Sequence, residues 1–336
     1  MKNIQTNRIV SLDIAKAICI ILVVVGHYIP DNSPEWYKLI HDVIYTFHMP
    51  LFMFASGYVY IATKKDIGYG DFLVKKIKRL MIPYFTTSVI VISIKMLTQG
   101  NMSVDSPVTW VSYFKMFYLP EAGAFLWFIW ALWWMFVLLP IFKTKRSRTV
   151  LFLICLIIHY IPMELPREFC IAQCKNMIVF FTLGVFAFEN GFIHKFLNDY
   201  SINKVILAIV AFIACEYLYF SDLNSDVLKT TLKILLPYVG IFFVIEISKF
   251  ICKYQEVGKD HILMIVSMSS YIIYLFHTTF EGFAKAVFRK LPLDSNLWYV
   301  FLPEAIVVIA VGVIIPMLLH RYVLKRWQLT RTLFGL

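Results

Sequence analysis

The sequence predicts an all-α integral membrane protein: a single bundle of about ten transmembrane helices around a central polar cavity, with both termini on the cytoplasmic side. Three observations predict it. Of 336 residues, 60% are hydrophobic and only 16% charged, whereas a soluble domain carries roughly 45–50% and 25%. Mean hydropathy is +0.72. Apolar stretches close to the ~20 residues that cross a bilayer recur along the whole chain, and the basic residues between them fall mostly on one side.

The spans read near 13–29, 43–62, 80–98, 124–142, 149–162, 174–190, 203–220, 230–249, 262–283 and 299–320, the fifth being the shortest. The first is entered from a basic flank at Lys2 and Arg8. An even number of spans places both ends together. With the N-terminus inside, the cytoplasmic loops and ends gather 21 of the 32 Lys and Arg, and the opposite loops hold eight. That asymmetry is the positive-inside pattern. Lys285, Arg289 and Lys290 stand against it and could face an anionic acceptor. No loop is long enough for a soluble domain and no internal repeat is evident, so residues 1–336 read as one membrane domain with no appended soluble domain. No cleavable signal peptide is expected, because a charged spanning helix begins almost at once.

The net charge of +11 could suggest nucleic acid. The basic residues sit in short runs between apolar segments rather than on one phosphate-binding face, so no nucleic-acid partner is expected. Cys19, Cys155 and Cys215 lie in apolar runs and read as packing residues. Cys170 and Cys174 share one loop and are the only pair placed for a disulfide.

Within this frame a few residues are out of place. The first span, RIVSLDIAKAICIILVVVGHY, carries Asp13, Lys16 and His27. Lys16 and His27 are eleven residues apart, almost three whole turns, so they share a stripe and lie about 16 Å apart along the axis. Asp13 is one turn before Lys16. Ionisable groups inside a span normally face a cavity or a partner. The plainer account has Lys16 snorkelling to the inner surface and His27 at the outer interface.

The second span places His48 at a depth similar to His27, with Pro50 after it and the small pair Ser56-Gly57 beyond. The third is preceded by KKIKRLMIPY. Lys75, Lys76, Lys78 and Arg79 there read either as a topology determinant gripping anionic lipid or as a clamp for phosphates. Trp127, Trp130 and Trp134 fit an aromatic belt, and Glu121 before them is a loop carboxylate within reach of outer-side chemistry. In the ninth span Tyr274, His277 and Glu281 follow three- and four-residue steps and form one polar stripe. A carboxylate in reach of His277 would fix its tautomer and raise its basicity. No Gly-rich phosphate loop, Ser-centred nucleophile motif or metal-spaced His/Cys set is present, so no metal is expected.

These residues resemble the integral-membrane acyltransferase 3 family, in its fucose 4-O-acetylase-like branch. The resemblance rests on DIAK at 13–16 with VVVGH ending at His27, FHMPLFMFASGY at 47–58, and KxxRLxxPY at 76–84. LWF at 126–128 and YIIYLFH at 271–277 complete it. The family more broadly has Arg where Lys16 stands; Lys supplies the cation without the bidentate fork. The resemblance implies acetyl-CoA as donor and a hydroxyl of a cell-surface or exported glycan, or of a lipid-linked sugar, as acceptor. It places the protein in a bacterial cytoplasmic (inner) membrane among membrane lipid and leaves a homo-oligomer open.

On that reading the CoA phosphates rest on Lys75, Lys76, Lys78 and Arg79, with Lys16 further in along the pantetheine arm. The thioester reaches His27, a general base or a transient acyl carrier. His48, Ser56 or Tyr274 could serve as oxyanion donors, and His277 with Glu281 completes the candidate catalytic set. Two other readings use the same charges: a transporter or flippase for a sugar-lipid or small anion, and a non-catalytic membrane subunit of a polysaccharide assembly complex.

Overall fold

The computed structural model describes residues 9–31, 33–100, 106–221, 225–291 and 297–336; Lys2 and Arg8, the predicted basic flank, lie outside them. Among the described residues the regular structure is entirely helical. Ten principal helices overlap the ten predicted spans, α2, α3 and α8 running well beyond the predicted bounds: α1 (Val10–His27), α2 (Glu35–Ala62), α3 (Tyr69–Thr98), α4 (Ala124–Ile141) and α5 (Lys145–Tyr160). They continue with α6 (Glu168–Glu189), α7 (Ile202–Phe220), α8 (Asp226–Tyr254), α9 (Ile262–Phe288) and α10 (Trp298–Leu324).

Eight of the ten are long and apolar enough to cross a membrane. The other two are α2 and α5. The apolar half of α2 is interrupted by His48, Pro50 and a series of tyrosines. α5 has only 16 residues and begins with Lys145-Arg-Ser-Arg. Cations nonetheless secure the helix ends on either side of it. Arg148 donates to the carbonyls of Phe142 and Lys143, just past the end of α4, at 2.8 and 2.7 Å. Lys175 of α6 donates to the carbonyls of His159 and Ile161 at the end of α5, at 2.9 and 2.8 Å. Orphan carbonyls at helix ends take cations well, so these two basic residues are helix caps.

The chain divides into two compact units, Met1–Lys64 with Phe180–Ser270 and Lys65–Val179 with Tyr271–Leu336. In the first, α8 packs against α7, α2 and α1, and α1 against α2. The turn Ser56-Gly57 works as its composition predicts. A Cβ on Gly57 would lie 1.9 Å from the carbonyl oxygen of Phe181, and one on Gly184 would lie 2.1 Å from the carbonyl oxygen of Phe54. α2 and α6 therefore cross backbone to backbone, each through the other's glycine, as small residues allow between spanning helices.

In the second unit, α3 contains a turn of π-helix, Ile77–Met81, just before Pro83. Proline cannot bond the carbonyl four residues back, here that of Arg79, and a widened turn absorbs the misfit. Gly335, with φ +66°, lies against that same carbonyl; a Cβ there would approach it to 2.7 Å. The Tyr84 hydroxyl sits between the carbonyls of Met116 and Leu119 at 2.8 and 3.0 Å, tying the segment after α3 to the helix.

All six cysteines are free thiols; Cys170 and Cys174 lie in the first turns of α6 rather than in an open loop. Gly57→Ala and Gly184→Ala are each expected to destabilise the first unit by about 1–3 kcal/mol through backbone displacement. Thermal unfolding in detergent measures this, and wild-type midpoints in both variants would refute the tight crossing.

Candidate functional site

The first unit carries His27, His48, Asp13 and Lys16. Lys16 Nζ lies 2.7 Å from Asp13 Oδ1, and Ser267 Oγ is 3.4 Å from the same oxygen. The cation near the start of α1 is thus held by its own helix, with Asp13 buried. At the other end of the helix, Gly26 gives way to a ring: a Cβ there would meet Tyr45 at 2.9 Å. Tyr45 comes within 6.3 Å of His27, edge to face, and also packs on His41 at 4.1 Å and His48 at 4.7 Å between ring centroids. One half-exposed tyrosine therefore links three histidines. Tyr37 donates to the carbonyl of Val25 at 2.9 Å and steadies the end of α1.

His48 is buried. Its Nδ1 lies 2.8 Å from the carbonyl of Ile44, and a carbonyl only accepts, so Nδ1 carries the proton and Nε2 the lone pair. Cys19 Sγ donates back to the carbonyl of His48 at 3.0 Å. Neutral His48 has no second N–H to offer, so it fits a base or acceptor better than the oxyanion donor the sequence suggests.

The second unit carries the other candidates. His277 is fully buried, and its Nδ1 faces the carbonyls of Tyr274 and Ile273 at 2.9 and 3.1 Å. The helix backbone thus fixes its tautomer in the sense found for His48, a role the sequence assigns to Glu281. Glu281, one turn further along α9, is also buried. Tyr274 donates to the carbonyl of Phe125 at 2.5 Å, so its proton is committed and it too makes a poor oxyanion donor. Phe125 stands edge-on to His277 at 5.1 Å.

The basic run splits in two. Lys75, Lys78 and Arg79 are exposed and, at steps of three and four, share one face. Lys76 instead lies over the Phe136 ring at 3.5 Å and near Phe72 at 5.3 Å, a cation–π arrangement that removes it from the exposed set.

Several groups escaped the sequence reading. Trp130 is buried and Trp134 half-buried, and both are engaged by the Phe169 segment. Trp134 Nε1 donates to the Phe169 carbonyl at 3.0 Å, and Trp130 packs on the Phe169 ring at 5.4 Å. They hold Phe169 and Cys170 in left-handed backbone, φ 54° and 55°, at a cost of about 1–3 kcal/mol each. Glu246 and Lys249 form a buried ion pair on α8, and Lys249 also donates to the Asp199 carbonyl at 2.9 Å. Glu216 is buried in α7 and meets the Thr46 hydroxyl at 2.7 Å. A lone acid in an apolar run, and opposite charges three apart in VIEISK, were the legible signals. Among the described residues no three His, Cys, Asp or Glu side chains gather as metal ligands.

Helices long and apolar enough to cross a membrane, with ionisable groups held inside them, define a multi-pass membrane protein. The chain belongs to the acyltransferase 3 family, whose model, described as an acyltransferase domain, matches residues 9–321. It is similar to the nodulation protein NolL of Mesorhizobium japonicum, 26% identical over 227 residues, 62% of this chain and 56% of that protein. It is also similar to the nodulation protein NolL of Sinorhizobium fredii, 27% identical over 185 residues, 53% of this chain and 48% of that protein. The chain spans about half the length of these curated relatives. No solved structure matches it.

Lys16→Met, which removes the cation from Asp13, is expected to lower stability by about 1–3 kcal/mol, less than for a fully buried pair because Lys16 keeps some exposure. Lys16→Arg should restore most of it. Equal unfolding midpoints for wild type and Lys16→Met would show that the pair contributes nothing.

Proposed function

We propose that the protein is an integral-membrane O-acyltransferase, in the fucose 4-O-acetylase-like branch of its family, residing in a bacterial cytoplasmic membrane. It moves an acetyl group from acetyl-CoA to a hydroxyl of a cell-surface or exported glycan. The observation that carries the reading is the build of α1: a cation held by Asp13 in its first turns and His27 at its far end, packed on Tyr45, within a chain matched from residue 9 to 321.

Lys75, Lys78 and Arg79 bind the CoA phosphates, three exposed cations on one face offering several donors to each phosphate. Lys76, engaged by Phe136 and Phe72, contributes field rather than a direct contact. Lys16 carries positive charge into the span for the polar pantetheine amides. His27 accepts the proton of the acceptor hydroxyl as its oxygen attacks the acetyl carbonyl. The tetrahedral intermediate expels the CoA thiolate, which takes the proton back from the imidazolium. His48 and His277, each with Nδ1–H tied to a carbonyl and the lone pair on Nε2, are suited to orient a hydroxyl rather than to stabilise an oxyanion. In the covalent variant, imidazole attacks the thioester first and the glycan hydroxyl resolves the acetyl-imidazole.

Purified protein in detergent, given acetyl-CoA labelled on the acetyl group, is expected to release CoA, to a sugar acceptor or slowly to water. His27→Ala should lower the rate by about 10²–10⁴-fold, the usual contribution of a positioned base, with the unfolding midpoint retained. Lys78→Gln with Arg79→Gln should raise KM for acetyl-CoA and leave kcat nearly unchanged, since phosphate contacts are made equally in ground and transition states. A wild type that neither binds nor consumes acetyl-CoA would sink the reading and favour a transporter.

A further inference from the structure

After α10 the chain forms one more short helix, α11 (Gln328–Leu333). The Thr330 hydroxyl ties it to the end of α10, lying 2.7 Å from the carbonyl of Leu324 and 2.9 Å from that of Trp327. Its far end closes as a Schellman cap. The Leu336 N–H donates to the carbonyl of Arg331 at 2.9 Å and the Gly335 N–H to that of Thr332 at 3.4 Å. Gly335 takes the left-handed position this cap needs, at φ +66°. Phe334 before it is buried and packs on Phe276 of α9 at 5.6 Å between ring centroids. The family match ends at residue 321, so this hook lies outside the matched residues.

What the hook rests on is the backbone of the cationic turn in α3. A Cβ on Gly335 would lie 2.7 Å from the carbonyl oxygen of Arg79, 3.0 Å from its Cα and 3.0 Å from Pro83 Cγ. That carbonyl is the one Pro83 cannot bond. Only glycine satisfies both demands here, a left-handed φ and no side chain toward Arg79. One residue further along the turn, the Tyr271 hydroxyl of α9 lies 3.4 Å from the carbonyl of Leu80. α9 therefore holds the turn through Tyr271 and anchors the hook through Phe276, while the side chains of Lys78 and Arg79 remain exposed.

We infer that Gly335 is a positioning residue for phosphate binding. By bracing the backbone of Arg79, the hook fixes the direction in which Lys78 and Arg79 leave the turn, so that both cations meet the donor's phosphates from a set base. Ordering long side chains opposes binding, and a fixed backbone beneath them leaves less to order. The inference rests on the reading of acetyl-CoA as donor and of this turn as its phosphate clamp. Because phosphate contacts are made equally in the ground and transition states, the effect belongs in KM and not in kcat.

The test uses the full-length protein in phosphatidylcholine nanodiscs, with acetyl-CoA turnover and the binding of adenosine 3′,5′-bisphosphate, the phosphate-bearing head of CoA, as readouts. Gly335→Ala is expected to raise KM for acetyl-CoA about tenfold, the worth of one charge-assisted hydrogen bond, with kcat within about twofold. Bisphosphate binding should weaken by the same factor. Phe334→Ala, which removes the anchor and leaves Gly335 in place, should act in the same direction. Asn tolerates a left-handed φ but still brings a Cβ, so Gly335→Asn should behave like Gly335→Ala. In a Lys78→Gln, Arg79→Gln background, Gly335→Ala should add nothing further, because the two changes act on one interaction. Wild-type bisphosphate affinity in Gly335→Ala and Phe334→Ala would overturn the proposal. So would wild-type behaviour of Gly335→Asn, full additivity in the Lys78→Gln, Arg79→Gln background, or a fall in kcat that tracks a lowered unfolding midpoint at unchanged KM. A wild type that binds neither acetyl-CoA nor the bisphosphate would sink the donor reading itself, a result distinct from binding that is present and indifferent to the hook.

Discussion

Hydrocarbon supplies no hydrogen bonds, and that constraint organises the chain. Every polar group carried into a span must find its partner in the protein. Lys16 is met by Asp13, Asp13 also by Ser267, Lys249 by Glu246 and the carbonyl of Asp199, and His48 and His277 by carbonyls of their own helices. Water would meet such needs in a soluble protein. Here each solution fixes a side chain in one orientation, so the same requirement that permits burial also preorganises the candidate site.

The two histidines illustrate the consequence. Bonding Nδ1–H to a carbonyl one turn back is the nearest satisfaction available to a buried imidazole on a helix, and it puts the lone pair on Nε2 in each. A requirement of folding thus sets the tautomer: with Nδ1–H on a carbonyl, the neutral ring of His48 or His277 has no second N–H for an oxyanion. His27, at the end of α1 beside Tyr45, is placed differently, with Gly26 making the room.

The second unit shows the same economy with backbone groups. Pro83 costs α3 a hydrogen bond, and the π turn before it together with Gly335 accommodates the carbonyl of Arg79. That turn also presents Lys78 and Arg79 outward. The left-handed backbone at Phe169 and Cys170 persists because Trp134 holds its carbonyl and Trp130 its ring. Arg148 and Lys175 finish helix ends. Basic residues that a charge count assigns to topology alone are therefore partly structural.

The sequence by itself determined the helical class, the ten helix positions and the residues that do not belong in hydrocarbon: Asp13, Lys16, His27, His48, His277 and the basic turn before Pro83. Apolar length and isolated charge are local properties, and a one-dimensional reading captures them. Only the tertiary structure decided which of these groups are already engaged. Lys76 lies on Phe136, Tyr274 has committed its proton to Phe125, and Trp130 is internal, because each partner comes from a helix distant in sequence. Glu216 shows the limit most clearly. One acid in INKVILAIVAFIACEYLYF is visible to any reader, but its pairing with Thr46, 170 residues away, exists only once α7 has packed against its neighbours.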